Sequence, residues 1–151
     1  MRLTTKSRYG TRLLLDLTIN SLGRPVPLSD VARRQNISLK YLEHLSAKLK
    51  SDGIIVSKRG PSGGFMLARP PGQVSIGDIV RSLEGTTALT ECSEPQEEAE
   101  CAICSQAGEC LSRWAWVEAS KAMFDCLDQI TLESLVNGEH GKKAKASRGN
   151  D

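Results

Sequence analysis

Four of the chain's five cysteines fall within nineteen residues, and their density makes the segment from Cys92 to Cys110 a place where chemistry could occur. The segment also contains Cys101 and Cys104, which form a Cys-x-x-Cys pair. Glu, Ser and Gly occur throughout it, and few apolar residues are present to pack around the thiols. Thiolates clustered in this way are typical ligands of a metal ion or an iron-sulfur cluster. We therefore interpret the segment as an iron-sulfur cluster loop.

Other chemistries use the same residue types. Four thiolates also suit a structural zinc ion with tetrahedral coordination. Cys101 and Cys104 have the spacing of a thiol-disulfide enzyme motif, but no βαβ pattern surrounds them and no histidine lies nearby. A chain without any cluster could respond through cysteine oxidation or through a protein partner. Metal content distinguishes these alternatives, and we do not expect the chain to be an enzyme.

The rest of the composition indicates a cytoplasmic protein that does not enter a membrane. The sequence has no run of about 18 apolar residues that could span a bilayer. Its first residues, MRLTTKSRYG, lack the apolar segment of a signal peptide. In a reducing compartment clustered cysteines are more often ligands or redox thiols than structural disulfides, and their odd total argues the same way.

Charge is distributed unevenly along the chain, although the net charge is only +2. Residues 1–90 carry fourteen Lys and Arg against six Asp and Glu, whereas residues 91–141 carry two against eleven. A basic front half predicts a polyanionic partner.

Apolar periodicity in the basic half predicts a helix-turn-helix. A core helix is expected over residues 5–21, followed by a short helix over residues 30–34 with Ser29 as its cap. After a tight turn, Ser38 is placed to cap a third helix over residues 39–49. Two short helices around a tight turn are the pattern of a DNA-binding helix-turn-helix.

A β-hairpin wing is predicted directly after these helices. The β-like runs 54–57 and 65–68 are separated by KRGPSGG, whose glycines and proline favour a sharp turn. Lys58 and Arg59 place charge at the base of that turn. The planar guanidinium of arginine can read a guanine edge or enter a narrow minor groove, whereas lysine acts as a point charge on phosphate. An ordinary polar hairpin is the alternative to a DNA contact.

The remaining elements complete a mainly α fold with a small wing. Ser75 opens a capping-box pattern for an amphipathic helix that ends at Gly85. Residues 111–129 carry an apolar surface too broad for one helix to bury, which predicts a dimerisation helix that includes Cys126. Thr131 is placed to cap a last short helix. The expected regions are a winged helix-turn-helix domain (1–85), a cysteine-rich cluster-binding loop (86–110), the dimerisation and terminal helices (111–136) and a disordered tail (137–151).

Six stretches in the same order carry a family resemblance: MRLTTKSRYG, PLSDVARRQNISLKYLEHL, SKRGPSGGF, SIGDIVRSLEG, the cysteine loop and ITLESLV. Together they resemble the IscR/NsrR-type family of winged-helix, iron-sulfur transcriptional regulators over residues 1–136. The resemblance implies a homodimer that binds pseudo-palindromic operators in double-stranded DNA as a repressor. It also implies a 2Fe-2S or 4Fe-4S cluster that senses iron, redox, oxygen or nitric oxide status.

The resemblance also assigns cluster ligands, and one of them departs from the family pattern. The family's three cysteines correspond to Cys92, Cys104 and Cys110. Its fourth ligand is a histidine or an N-terminal acidic residue, and this chain has Arg113 and Arg8 at those places. Neither cation can bind iron, so Cys101 is the natural substitute. Glu98, Glu100, Glu109 and an exogenous thiol are the other candidates.

DNA contacts follow from the same resemblance. Base contacts are implied for the recognition helix and the wing, and Glu43 has the most specific consequence. Its carboxylate can accept a hydrogen bond from cytosine but is repelled by phosphates, so it favours some sites and penalises others. The alternative is a surface glutamate paired with Lys40 or Lys48 along the helix. The expected DNA-binding residues are Ser38, Lys40, Glu43, His44, Lys58, Arg59 and Gly60.

Overall fold

The structure, a computed structural model, describes residues 3–93 and 109–138. Within these two ranges the chain forms six α-helices and one antiparallel two-stranded sheet, with single-turn 3-10 helices at Pro71–Gln73 and Glu91–Ser93. The predicted mainly α fold with a small hairpin wing is confirmed. The elements are α1 (Thr5–Asn20), α2 (Leu28–Gln35), α3 (Leu39–Ser51), β1 (Ile55–Lys58), β2 (Gly64–Leu67), α4 (Ile76–Glu84), α5 (Leu111–Asp128) and α6 (Leu132–Val136).

Helix α1 is the centre of the hydrophobic core. The hydroxyl of Thr4 accepts a hydrogen bond from the backbone N–H of Lys6 and caps the helix start. Leu13, Leu14 and Leu17 recur at helical spacing and are completely buried. Helix α1 thereby contacts α2, α3, α4 and α6, so the elements that carry the predicted interface are packed on one support.

Helices α2 and α3 form the predicted helix-turn-helix. Helix α2 begins at Leu28, so the expectation that Ser29 caps a helix starting at residue 30 is wrong. The reason is that Pro27 has an extended backbone suited to the cap position, while Leu28 is buried in the core and becomes the first helical residue. Asn36, in the left-handed conformation, ends α2. Ser38 caps α3 as predicted, its hydroxyl accepting from the N–H of Tyr41.

The wing is attached to the connector between α1 and α2. Strands β1 and β2 pair from Ile55 opposite Leu67 to Lys58 opposite Gly64. The backbone of Val26 then exchanges two hydrogen bonds with Phe65, both N···O distances being 2.9 Å. A Cβ atom on Gly64 would lie 2.4 Å from the carbonyl oxygen of Val26, so only glycine allows this approach. The connector is therefore joined to β2 by an isolated antiparallel bridge.

The predicted caps of α4 and α6 are confirmed, and α6 closes the core. Ser75 and Asp78 form a capping box at the start of α4, and Thr131 does the same with Ser134 at α6. The N–H of Leu132 donates to the carbonyl of Val74 at 3.0 Å, and the Leu132 side chain is completely buried among core residues. The last described helix thus packs against the winged part of the chain.

Helix α5 is eighteen residues long and only partly covered. Ser120 and Phe124 are buried, whereas Trp114 and Trp116 are exposed. No helix in ranges 3–93 and 109–138 combines the length and apolar character needed to cross a bilayer. The proposed division at residues 85 and 110 stays a prediction, and the predicted disordered tail lies outside the described residues from residue 139 onward.

Candidate nucleic-acid interface and thiol site

Helix α3 presents the polar face that was predicted to contact DNA. Leu42, Leu45 and Leu49 hold the helix in the core, which leaves the opposite face to solvent. Among the described residues no ion pair joins Glu43 to a lysine of α3, because Lys48 pairs instead with Asp52 at 3.1 Å. The carboxylate of Glu43 is therefore available to a ligand. The predicted contact residues of this helix are all exposed: Ser38, Lys40, Glu43 and His44.

Aromatic contacts fix the start of α3 against α1. The rings of Tyr9 and Tyr41 meet edge to face with centroids 5.8 Å apart, and the Arg12 guanidinium lies 5.5 Å from the Tyr9 centroid. The hydroxyls of Thr5 and Tyr41 are 3.3 Å apart. These contacts were not foreseen from the sequence, although a Tyr on each helix at an apolar position was visible there. They hold the first turn of α1 beside the first turn of α3.

A buried ion pair sets the position of α2. The Asp16 side chain, only 1% exposed, accepts hydrogen bonds from Nε and Nη2 of Arg34 and from Nε2 of Gln35. Burial opposes ionisation most strongly, but the hydrogen bonds from Arg34 and Gln35 together outweigh it. The pKa of Asp16 is therefore lowered. Arg34 and Gln35 are the last two residues of α2, so their contacts with Asp16 fix the end of α2 next to the turn.

The wing places its two cations on a tightly folded loop. The N–H of Gly63 donates to the carbonyl of Gly60 at 2.9 Å, and a Cβ atom on Gly63 would lie 2.4 Å from the Lys58 carbonyl oxygen. Lys58, Arg59 and Gly60 are exposed. A loop this compact can bring backbone and cations close to another surface with little loss of conformational entropy.

Cys92 and Cys110 are brought together at the start of α5. Cys110 occupies the N-cap position, and Cys92 lies in the 3-10 helix that contacts α5. Nε of Arg113 donates to the carbonyl oxygen of Cys92 at 2.7 Å, across a sequence separation of 21 residues. The Thr90 hydroxyl lies 3.3 Å from the Cys92 sulfur. Arg113, predicted only to be unable to bind iron, thus anchors the first cysteine.

The surroundings of Cys110 favour its thiolate. The Ser112 hydroxyl lies 3.1 Å from the Cys110 sulfur. The pKa of this thiol is lowered, first by the hydrogen bond with Ser112 and next by the backbone N–H of Arg113. A thiolate is the form that binds a metal, so the donor chemistry of Cys110 fits a cluster ligand.

The other two predicted ligands, Cys101 and Cys104, lie outside the described residues. In the part of the chain that the structure describes, no group of three or more His, Cys, Asp or Glu residues is arranged to hold a metal ion. The fifth cysteine, Cys126, is exposed on α5 and lies apart from the loop ends.

Helix α4 connects the C-terminal end of α5 with the predicted DNA interface. Arg81 binds Asp128 of α5, and its guanidinium lies 4.6 Å from the Phe124 ring centroid. The next residue, Ser82, donates to Asp52 at the end of α3 at 2.7 Å. Glu84 accepts a hydrogen bond of 2.6 Å from Ser7 of α1. Successive residues of one helix turn therefore contact α5, α3 and α1.

A helix-turn-helix with an exposed polar second helix, followed by a cationic hairpin, defines a winged-helix DNA-binding protein. The family model described as "Rrf2: Iron-dependent Transcriptional regulator" matches residues 3–138. The chain therefore belongs to the Rrf2 family, whose members are transcriptional regulators rather than enzymes.

Individual relatives agree with this assignment. "Protein rrf2" of Nitratidesulfovibrio vulgaris is 44% identical over 136 residues, covering 90% of this chain and 87% of the relative. "HTH-type transcriptional regulator IscR" of Cronobacter sakazakii is 39% identical over 139 residues, covering 92% and 82%. The structure of CymR, described as the global cysteine regulator of B. subtilis, matches with a TM-score of 0.70 and 32% identity, covering 91% and 97%.

Proposed function

We propose that this regulator is a homodimeric repressor whose operator binding is controlled by an iron-sulfur cluster. Cys92, Cys104 and Cys110 would hold the cluster, and Cys101 would supply the fourth ligand. The observation that carries the proposal is the double role of Arg113, whose side chain bonds the carbonyl of Cys92 while its backbone N–H donates to the carbonyl of Cys110 at 3.1 Å. Arg113 thereby contacts both ends of the cysteine loop, Cys92 and Cys110, which would bind the same cluster. The description of the family as "iron-dependent" supports the same conclusion.

When bound, such a cluster would carry a charge that changes with redox state, and the fraction of the protein that holds a cluster would change with iron supply. The protein's own part is to hold the loop ends on α5 and to connect α5 with the DNA-binding helices. Arg81 makes that connection, since it joins Asp128 to α4. From α4, Ser82 contacts the end of α3 through Asp52. A change in the cysteine loop on cluster binding would therefore alter the position of α5, and with it the position of α3, the proposed recognition helix.

The DNA contacts are proposed on the exposed faces of α3 and the wing. Arg59 would read a base edge or a narrow minor groove, because its planar guanidinium can make two parallel hydrogen bonds. Glu43 would select sites that offer a cytosine amino group and reject others. The remaining proposed contacts position the protein on the duplex: Ser38, Lys40, His44, Lys58 and Gly60.

Helix α5 is proposed to form the dimer. Small side chains recur along one side of this helix at intervals of four, three and four residues: Ala115, Ala119, Ala122 and Cys126. At about 100° per residue they lie within roughly 60° of arc, and we call these four residues the α5 seam. Such a row lets two helices approach closely. Exposed Leu111, Trp114 and Trp116 flank the row and would be buried by the same partner.

A second candidate is a regulator that switches through thiol oxidation without a cluster. The lowered pKa of Cys110 favours it, because the thiolate is the form that oxidants attack. A structural zinc ion on the same cysteines is a further possible occupant of the loop.

Anaerobic purification followed by metal analysis separates these candidates. Iron and inorganic sulfide in equal amounts, with visible absorption that bleaches on reduction, are expected for the cluster. Duplexes selected from a random library should then bind differently before and after cluster removal. Zinc alone would assign a structural site. A protein that stays free of metal after anaerobic reconstitution, yet loses DNA affinity on oxidation, would establish the thiol switch instead.

A further inference from the structure

A surface groove runs between the wing and the connector that joins α1 to α2. Its volume is about 550 Å³, and its walls come from Gly23 to Pro27 on one side and Lys58 to Gly63 on the other. Among the described residues that line it are three cations, Arg24, Lys58 and Arg59, and no acidic residue. The groove therefore joins the two proposed wing cations to a third that comes from a distant part of the sequence.

The position of Arg24 is fixed by the backbone around it. Two residues later, Val26 exchanges both of its backbone hydrogen bonds with Phe65 of the wing. Pro25 and Pro27 restrict the backbone on either side of Val26. The close approach of Gly64 to Val26 holds connector and wing together. Arg24 is thus carried by the same small sheet as Lys58 and Arg59.

Like charges gathered on one rigid surface repel one another unless an anion lies between them. Arg24, Lys58 and Arg59 are all exposed, and none of them forms an ion pair within residues 3–93 and 109–138. By contrast, the exposed Arg33 of α2 pairs with Asp30 at 3.2 Å. The groove thus concentrates unpaired positive charge beside the loop that is proposed to contact DNA.

We propose that Arg24 binds a phosphate of the DNA backbone, next to the DNA groove that the wing is proposed to enter. The ligand class is the phosphodiester of duplex DNA, and the inference rests on the proposed DNA contact of the wing. Phosphate contacts position a protein and add affinity without reading sequence. Arg24 therefore acts together with Arg59: Arg59 discriminates between bases, while Arg24 anchors the strand beside it.

Salt-dependent binding of Arg24→Gln to a selected operator duplex tests this role. Losing one phosphate contact in each subunit reduces the magnitude of the slope of log affinity against log salt by about two for the dimer, and each lost contact weakens binding roughly tenfold near 0.1 M salt. The loss should be equal for operator and for unrelated duplexes. Arg24→Lys should retain most of the slope. Lys121→Gln, which removes the same charge from exposed α5, is the matched control and should leave the slope unchanged.

A second measurement locates the phosphate. Neutral methylphosphonates are placed one at a time along the operator strand beside the wing. At one position the substitution should weaken wild-type binding and leave Arg24→Gln binding unaffected, because the partner is already absent. Equal melting temperatures of variant and wild type are expected, since Arg24 is exposed, and they establish that the fold is intact.

The outcomes separate this inference from the function on which it rests. If Arg59→Ala weakens operator binding while Arg24→Gln keeps the wild-type slope, Arg24 makes no phosphate contact and only this inference is overturned. If the Arg24→Gln loss is confined to one base sequence, the residue reads bases and the phosphate assignment is wrong. If neither variant changes binding, the proposed wing contact fails together with the inference.

Discussion

Arg81 and Asp128 face each other with two parallel hydrogen bonds, Nη1 to Oδ1 at 2.7 Å and Nη2 to Oδ2 at 2.6 Å. The pair joins the last turn of α4 to the end of α5 across 47 residues of sequence. The hydrogen bond from Arg81 lowers the pKa of Asp128 and outweighs partial burial, which acts in the opposite direction. The bidentate geometry specifies orientation as well as attraction. The pair therefore fixes how the α5 helix meets the winged part of the chain.

Breaking this pair should weaken the structure modestly. Both side chains are more than a third exposed, so we expect a coupling free energy of about 1 kcal/mol rather than that of a buried ion pair. A double-mutant cycle with Arg81→Gln and Asp128→Asn, measured by denaturant unfolding, gives this value. The matched cycle of Arg33→Gln with Asp30→Asn breaks a single exposed contact and should show a smaller coupling. Equal coupling in both cycles would contradict the assigned role of Arg81.

Gly77→Ala provides an independent test of the same contact. A Cβ atom at position 77 would lie 1.8 Å from Oδ1 of Asp128, so the carboxylate must move. Alanine normally stabilises a helix relative to glycine by up to about 1 kcal/mol. Here the variant should be destabilised in the wild-type background and less so when Asp128→Asn is also present. A stabilised Gly77→Ala protein would show that the carboxylate moves without loss.

The buried Asp16 should make stability depend on acidity. Its folded-state pKa lies below the ordinary value of 3.8, so ionised Asp16 stabilises the fold fully above that value. This contribution is lost as the pH falls below 3.8 and through the lower folded-state pKa. Asp16→Asn should reduce the free energy of unfolding by about 2 to 3 kcal/mol at neutral pH, because Arg34 loses its charged partner. Denaturant unfolding at neutral pH and at successively more acidic pH measures both effects.

The variant should also flatten the acid limb of the stability profile, since the group that titrates has been removed. Asp30→Asn is the control, because its carboxylate is exposed and pairs with Arg33 by one contact. An Asp16→Asn protein as stable as wild type at neutral pH would exclude the ion pair of Asp16 with Arg34 as the determinant of the α2 position.

The α5 seam should determine the oligomeric state. Ala122→Glu places a charge in the middle of the proposed interface, and burial of an unpaired carboxylate is strongly unfavourable. The variant should sediment as a monomer and lose operator affinity while keeping its helical circular dichroism. Lys121→Glu introduces the same side chain one position earlier, about 100° around the helix, and should remain dimeric. A dimeric Ala122→Glu protein would place the interface elsewhere.

Cluster binding should depend on the loop cysteines and not on the helix cysteine. Cys104→Ala and Cys110→Ala should each abolish visible absorption and iron retention after anaerobic reconstitution, because each removes a proposed ligand. Cys126→Ala should retain both, since Cys126 lies apart from the loop ends. Cys101→Ala tests the fourth ligand. An intact spectrum in this variant would assign that place to a carboxylate or an exogenous thiol.

Local signals explain why much of the fold could be predicted from the sequence. Ser38, Ser75 and Thr131 cap helices through side chains that bond residues three positions away, so the pattern is visible within four residues. The start of α2 could not be placed in this way. It depends on burial of Leu28 in a core assembled from other elements, and burial of that kind overrides the local preference for Ser29 as a cap.

The cluster chemistry predicted for the candidate site stays a prediction, and the geometry around its described cysteines was not predictable. The number and spacing of the thiols predict a metal or cluster, since closely spaced thiolates are the ligands that such sites use. That Arg113 binds the carbonyl of Cys92 could not be anticipated, because an arginine offers five donors and the fold alone selects the acceptor. The bond between Val26 and Phe65 is equally non-local, so the attachment of the wing to the connector was missed.

The burial of Leu132 has a consequence for the order in which the protein is made. A ribosome completes the helix-turn-helix and the wing long before it reaches this residue, yet the core retains an open position until Leu132 arrives. By then the cysteine loop and α5 have also been synthesised. A chain that ends before Leu132 therefore lacks one side chain of the core that supports the helix-turn-helix, and a molecule with a complete core already carries the segment proposed to control it.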